Sequence, residues 1–305
     1  MSAIGIVIVT HNSEAEIGPS LDAALRTGAT VVVVDNASID ATVTEVSRRN
    51  VRLIANANNR GFAAAVNQGF EALDSPYVLL LNPDAILERG LEELQRACDL
   101  PGSAGAGGCL TDAHGAPQTG FMVRRFPTST ALTFEVLLIN RLWPGNPVNR
   151  RYRAADLDYS RCVPVEQPAG AFFMVRRAVW HELGGFDEGY FPVWFEDVDF
   201  CRRAIDRGYR LYYVPQAVAK HTGGHSVSRI PVEMRHFYWY RSLLRYSARH
   251  FHPCFFRLVC LAVLVGSIPR MLGEAVVDGS LQSLVVYSKV VRLASRSLFF
   301  GWETE

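Results

Sequence analysis

Glu196, Asp197 and Asp199 fall within four positions of the run YFPVWFEDVDFCRR (190–203), directly after a group of aromatic residues. A carboxylate drawn out of water by apolar walls has its pKa raised and becomes a better proton acceptor, so this run could supply a general base. The alternative is a helix on which Glu196 and Asp199 pair with Arg202 and Arg203 on a solvated face. A second carboxylate, Asp84 in LLLNPDA, follows a strongly apolar stretch. A turn there would hold it at the carboxyl edge of a strand, where divalent-metal ligands often face phosphates, although Asn-Pro-Asp is also a common turn former.

His221 lies in KHTGGHS, among glycines that let a backbone come close to a ligand. A lone histidine is usually structural. Beside a metal, a neutral imidazole and one aspartate would leave several positions open for diphosphate oxygens and water, with His225 as the alternative ligand. Asn59-Arg60-Gly61-Phe62, followed by Asn67, sets a guanidinium at the start of a helix beginning near Phe62, and both features favour phosphate. Neither GxxxxGK[ST] nor a GxGxxG after the first strand is present, which removes the main support for kinase and dehydrogenase chemistry.

These residues need elements to hold them. Apolar runs bounded by polar turns occur at Ile4–Val9, Val31–Val34, Arg52–Ala55 and Tyr77–Leu81, with Ala- and Leu-rich helical spacing between the first two and between the last two. Uninterrupted β-branched runs suit strands covered on both faces, so the first ~100 residues predict a parallel, doubly wound α/β sheet. Thr10-His11-Asn12, Asp35-Asn36 and Asn82-Pro83-Asp84 would then face one crevice at its carboxyl edge. Pro101–Gly120 and residues 140–168, rich in Gly, Ala or Pro, read as irregular loops. Gly170–Arg176 and Tyr209–Val214 predict strands, and a short helix starts at Ala178.

From about Pro231 the chain turns helical, mixing aromatic residues with arginine, and then carries an apolar stretch. Arg257 and Arg270 bracket only twelve residues there, fewer than the ~20 a crossing helix needs. An amphipathic helix in the membrane interface is expected, with Arg235, Arg241, Arg245, Arg249, Arg257 and Arg270 suited to anionic headgroups. The alternative is a helical subdomain packed on the core or on another subunit of a homo-oligomer.

Composition sets outer limits. The 305 residues are 49% hydrophobic and 20% charged with a formal net charge of +1, a folded protein with no field that argues for nucleic acid. The six cysteines have no CxxC pair or zinc-site spacing and read as reduced thiols. The opening MSAIGIVIVTHNS lacks a basic leader and cleavage site, which predicts a first strand and a cytoplasmic protein, peripheral at most on the inner face of the cell membrane.

The motifs VIVTHN, VVVVDNASID, NRGFAAAVNQG, LLLNPDA, GAFFMVRR, GGFDEGYF, WFEDVDFCRR and KHTGGHS, in this order over roughly residues 4–226, resemble glycosyltransferase family 2 and, within it, the bacterial rhamnosyltransferase-like members. The resemblance implies a GT-A fold for 1–228 with a helical region at 229–305, a nucleotide-diphosphate-sugar donor, a divalent metal (Mn2+ or Mg2+) and an inverting single displacement. By position, Asp197 matches the catalytic base with Glu196 its neighbour, and Asp84 and His221 match the metal ligands. Asn82 stands where an Asp can occur, which leaves the site one charge poorer.

Asp35 and Asn36 match the nucleotide-base pocket, where relatives carry two aspartates and where the Asn carbonyl would accept the N3–H of uracil or thymine. His11 stands where relatives carry an aromatic residue. Thr10, Asn12, Asp40, Asn59, Arg60, Gly61, Asn67 and Pro83 complete the expected donor site, and Gly170, Trp194 and Glu196 the acceptor side. Expected partners are dTDP-rhamnose, with UDP-sugars open, a glycan or polyprenyl-linked acceptor, and a membrane surface. A nucleotidyltransferase, which usually begins with a Gly-rich basic loop absent from IVTHNSE, and a non-catalytic sugar-nucleotide binder are the rival readings.

Overall fold

The computed structural model describes residues 3–223, 232–278 and 282–302. His225 lies outside them, as do the residues around 228 where the sequence places a domain boundary. The chain divides into two compact units, 1–126 with 153–192 and 196–226, and 127–152 with 193–195 and 227–305.

The first unit is built on a nine-stranded sheet. Its first half follows the expected alternation, with a further short helix between the second and third strands: β1 (Ile4–Thr10), α1 (Ile17–Arg26), β2 (Thr30–Asp35), α2 (Thr42–Ser47), β3 (Arg52–Ala55), α3 (Phe62–Glu71) and β4 (Tyr77–Leu81), with β1–β4 mutually parallel in the order β3-β2-β1-β4. Every residue of β1 is buried, which is why Ile and Val run there without polar alternation. The parallel register ends Thr10 beside Asp35, so both fall on the same edge.

The second half comprises β5 (Ala85–Arg89), α4 (Leu91–Cys98), β6 (Ser103–Thr111), the two-residue β7 (Val123–Arg124), β8 (Val163–Val165), the two-residue β9 (Gln167–Pro168), β10 (Phe172–Arg176), α8 (Arg177–Leu183), α9 (Glu196–Asp206) and β11 (Arg210–His221), while α5 (Ser129–Val136), α6 (Ile139–Leu142) and α7 (Pro147–Tyr152) belong to the other unit. The sheet continues β4-β10-β6-β11-β5, with β10 antiparallel to β4 and β6 and β8 at the side of β11.

Three expectations are corrected here. Pro101–Gly120 is not all loop, because SAGAGGCLT forms the central strand β6, buried along its whole length. A side chain on Gly105 would start 2.4 Å from the carbonyl oxygen of Met174, and one on Gly108 2.2 Å from the Phe172 ring. Small residues are required because large neighbours on β10 fill that space, and local composition then imitates a loop. The strand predicted at Tyr209–Val214 runs on to His221 through a register shift between Val214 and Val218. Likewise 140–168 contains α6, α7, β8 and β9.

In the second unit α10 (Val232–His250), α11 (Pro253–Asp278) and α12 (Gln282–Phe300) pack on one another, and α11 also packs on α5. A Cβ on Gly266 would meet the Val136 carbonyl oxygen at 2.1 Å, so only glycine allows this approach of the two helices. α11 continues through Arg257 and Arg270, so the twelve residues between them do not bound the apolar helix: Pro253–Gly273, 21 residues, is long and apolar enough to cross a membrane by length and composition. Arg270 does not face outward as expected, since its Nη2 donates to the carbonyl of Glu135 at 2.9 Å.

Candidate active site

At the carboxyl ends of β1 and β2, Asp35 is buried and engaged from three sides. Thr10 Oγ1 donates to its Oδ1 at 2.8 Å, Ser38 Oγ donates to the same oxygen, and the Ser38 amide donates to Oδ2 at 2.9 Å. Asn36 is equally committed. Its Oδ1 accepts from the Arg60 amide at 3.1 Å and from Asn56 Nδ2 at 3.2 Å, while its Nδ2 donates to the Gly61 carbonyl at 3.0 Å. Both lone pairs expected for a pyrimidine N3–H are thus spent on the 56–61 loop. His11 Nδ1 donates to the Asn36 carbonyl at 2.9 Å, which fixes the tautomer and leaves Nε2 as the ring's acceptor.

Asn12, with φ at +53°, accepts from the Ile39 amide through Oδ1 at 2.8 Å, and Asp40 binds the Thr42 amide and hydroxyl and the Glu14 amide. These side chains tie the two loops together at one edge. Asn59 Oδ1 accepts from the Gly61 amide at 2.9 Å. Gly61 precedes α3 at φ +85° with the Phe191 ring against it, and the Phe62 amide donates to the Pro192 carbonyl at 2.7 Å. The first amide of α3 therefore has a protein acceptor rather than an open face for phosphate, while the Arg60 side chain is exposed. Asn67 holds the protein's own chain. Its side-chain amide exchanges hydrogen bonds with the Phe186 backbone at 2.9 and 3.0 Å and donates to Glu188.

The sheet brings Asp84 and His221 together. Pairing of β11 with β5 sets His221 opposite Ala85, both side chains of the Asp84–His221 pair are buried, and Asp84 Oδ1 lies 3.5 Å from His221 Nε2. Gln118 fixes the imidazole, because its Nε2 donates to the His221 carbonyl at 2.7 Å and its Oε1 must then face His221 Nδ1, 3.0 Å away. Nδ1 carries the proton, so in the neutral ring the lone pair of Nε2 points toward the carboxylate. Two buried acceptors face to face are unfavourable unless a proton or cation joins them. Cis ligands of one small cation sit about 3 Å apart, so one carboxylate oxygen and one imidazole nitrogen in this arrangement fit a divalent ion such as Mn2+. Phe121 stacks on His221 at 5.3 Å, closing the other side. Among the described residues no group of three or more His, Cys, Asp or Glu could hold a metal, so the remaining positions would fall to substrate and water.

One short segment links Asp197 to the turn that carries Asp84. The Gly170 amide donates to Asp197 Oδ2 at 3.0 Å, and the carbonyl of the next residue, Ala171, accepts from the Asn82 amide at 3.0 Å, in the turn Asn82-Pro83-Asp84. A Cβ at 170 would press on the carboxylate at 3.2 Å. Burial pushes the Asp197 carboxyl above its ordinary value, against the opposing pull of the Gly170 and Val198 amides, Arg124 and Gln167. Asp197 is enclosed by protein without being sealed, and its neighbour Glu196 is buried. Trp194 precedes them in the second unit; it and Phe195 hold φ values of +86° and +72°, a costly conformation for bulky residues.

Asp199 is fully buried, not on a solvated face. Arg203 Nε donates to it at 2.7 Å, Arg203 also binds the carbonyls of Leu183 and Gly185, and Tyr190 OH reaches its other oxygen at 3.3 Å. Arg202 instead pairs with Asp206. Asp199 and Arg203 therefore clamp the segment before α9 to the helix that carries Glu196 and Asp197. Arg203→Met would strand a buried carboxylate and two carbonyls, and should lower unfolding stability by about 3 kcal/mol in denaturant titration.

Gln118, Phe121, Arg124 and Gln167 carry no signal in the sequence. They come from a Gly- and Pro-rich stretch and a two-residue ribbon, β7 paired with β9, and their types have no catalytic spacing. The signal that could have found Gln118 and Phe121 is the long-range pairing of 118 with 221, which no local pattern contains.

The model of glycosyl transferase family 2 matches residues 5–183. N-acetylglucosaminyl-diphospho-decaprenol L-rhamnosyltransferase of Mycobacterium tuberculosis is 30% identical over 259 residues, covering 75% of this chain and 83% of the relative. Rhamnosyltransferase WbbL of Escherichia coli is 30% identical over 194 residues, covering 63% of this chain and 69% of the relative. Among solved structures, mannosyltransferase PcManGT of Pyrobaculum calidifontis in complex with GDP-Man and Mn2+ superposes with a TM-score of 0.55 at 16% identity, over 99% of this chain and 88% of that one, a likeness of fold. Sheet order, family match and relatives agree: the chain belongs to glycosyl transferase family 2, has the GT-A fold, and is similar to rhamnosyltransferases of that family.

Proposed function

We propose that this glycosyltransferase moves L-rhamnose from a nucleoside diphosphate, dTDP favoured, to a hydroxyl of a lipid-linked glycan, with inversion. The observation that supports it most is the Asp84–His221 pair, 3.5 Å apart and buried, in a fold whose solved relative binds a sugar nucleotide with Mn2+. The two similar rhamnosyltransferases, one of them named for a diphospho-decaprenol acceptor, favour the sugar and the acceptor class.

Asp84 and His221 would hold the divalent metal, which when bound supplies positive charge against the diphosphate. Arg60, exposed at the head of α3, adds a guanidinium for the same charge. Asp197 takes the proton of the acceptor hydroxyl as the new oxygen–C1 bond forms and the bond from C1 to the diphosphate oxygen breaks; the nucleoside diphosphate departs and the proton passes from Asp197 to solvent. Attack from the face opposite the leaving group inverts the anomeric centre. Asp35 and Asn36, spent on holding their loops, shape the base pocket, and His11 offers its ring and Nε2 to the base.

Thermal unfolding against a panel of nucleotide sugars tests the donor. A ligand at a hundred times its Kd adds about 2.7 kcal/mol of stability, so dTDP-rhamnose with Mn2+ should raise the midpoint by several degrees and a chelator should remove the gain. A larger gain from a UDP-hexose would reassign the sugar.

A further inference from the structure

Helix α11 is apolar on two faces, and among the described residues only one of them is packed. Phe256, Val259, Cys260, Val263, Gly266 and Ser267 are buried inside the helical unit. On the other side Leu258, Leu261, Val265, Ile268 and Leu272 recur at spacings of three and four and are each 44–60% exposed. Five large aliphatic side chains aligned along four turns of one helix form a continuous stripe, which a soluble surface rarely shows without a partner.

The exposed charge beside the first turns of this stripe is cationic. Of the six arginines between Met234 and Gly273, Arg249 and Arg257 are exposed and Arg270 is turned to the Glu135 carbonyl, and the acidic residues Glu274 and Asp278 come only in the last turns of α11. Arg257 is exposed beside Leu258, and the neighbouring helix α12 exposes Lys289, Arg292 and Arg296 at spacings of three and four. We propose that this face docks on an anionic phospholipid surface, with the α11 stripe in the acyl boundary and the cations of α11 and α12 meeting lipid phosphates. Charge complementarity selects this occupant. A second copy seated by two-fold symmetry would bring like cationic rows together, and a crossing helix would have to give up the packed face that holds Gly266 against Val136. The proposal deepens the reading of a lipid-linked acceptor and rests on it for its purpose, yet vesicle binding is measured without any sugar transfer.

The full chain is mixed with vesicles of phosphatidylcholine, alone or with phosphatidylglycerol, without donor or acceptor, and bound protein is measured by sedimentation. Binding is expected only to the anionic vesicles and to weaken in high salt. Lys289→Gln with Arg292→Gln should weaken it about fivefold per cation removed, and Leu261→Gln with Val265→Gln by about tenfold or more, with the unfolding midpoint of both variants near that of the parent. Equal binding to both vesicles that resists salt and alkaline washing would overturn the proposal in favour of insertion. A dimer dispersed by the Leu261 and Val265 changes, with no vesicle binding, would overturn it in favour of self-association. Failure of the rhamnosyl-transfer reading would show separately, as absent turnover with vesicle binding intact.

Discussion

Asp197→Asn should reduce sugar transfer by about 10³-fold or more while donor binding, read by thermal shift with Mn2+, stays within a few-fold of the parent. The change keeps the shape of the side chain and removes the proton acceptor. Burial raises the pKa of this carboxyl, so the folded protein favours the neutral acid and ionisation costs stability. That cost is absent below the unfolded-state pKa and complete above the folded one. The same shift sets the activity profile: transfer needs the ionised form, so kcat/KM should fall as pH drops through a value above the ordinary aspartate range. Near-normal turnover in the variant would remove Asp197 from the role of base.

His221→Ala should cost on the order of 100-fold in turnover and abolish the Mn2+ dependence of donor binding, and Asp84→Asn should do the same with less disturbance of packing. The geometry makes the two residues a unit, since each buried acceptor needs what lies between it and the other. Gln118→Ala tests the support. Without the amide that fixes the proton on Nδ1, Mn2+ affinity should fall about 10–100-fold with the two ligands still in place. A titration of activity with Mn2+ checks all three, and unchanged Mn2+ dependence in His221→Ala would take the histidine out of the metal site.

The half of the fold that repeats locally is legible from the sequence. Runs such as Val31–Val34 announce buried parallel strands because both of their faces are covered, and polar residues at their ends then fall on one edge by register. The strand β6 is hidden because its small residues answer to Phe172, Phe173 and Met174 on β10, distant in sequence, and no local rule contains that contact. The extension of β11 to His221 is hidden by its register shift.

In the candidate site, Asp84 and His221 follow from turn chemistry and family position, and the sheet brings them within 3.5 Å. The amides of Asn36 and Asn67 hold the protein's own loops; an amide's protein partners cannot be read from its type alone. Arg257 and Arg270 bracket the C-terminal apolar stretch as if charge ended a helix. Arg270 instead satisfies the Glu135 carbonyl, and the helix continues past both.

The central claim is inverting transfer from a sugar nucleotide, and product analysis tests it most directly. The full chain would be incubated with dTDP-rhamnose, Mn2+ and a prenyl-diphosphate-linked N-acetylglucosamine acceptor, and the products separated and examined by NMR. Free dTDP in one-to-one ratio with a rhamnosylated acceptor of inverted anomeric configuration is the expected result. Pyrophosphate release, retention of configuration, or intact donor in the presence of a well-folded protein would contradict it.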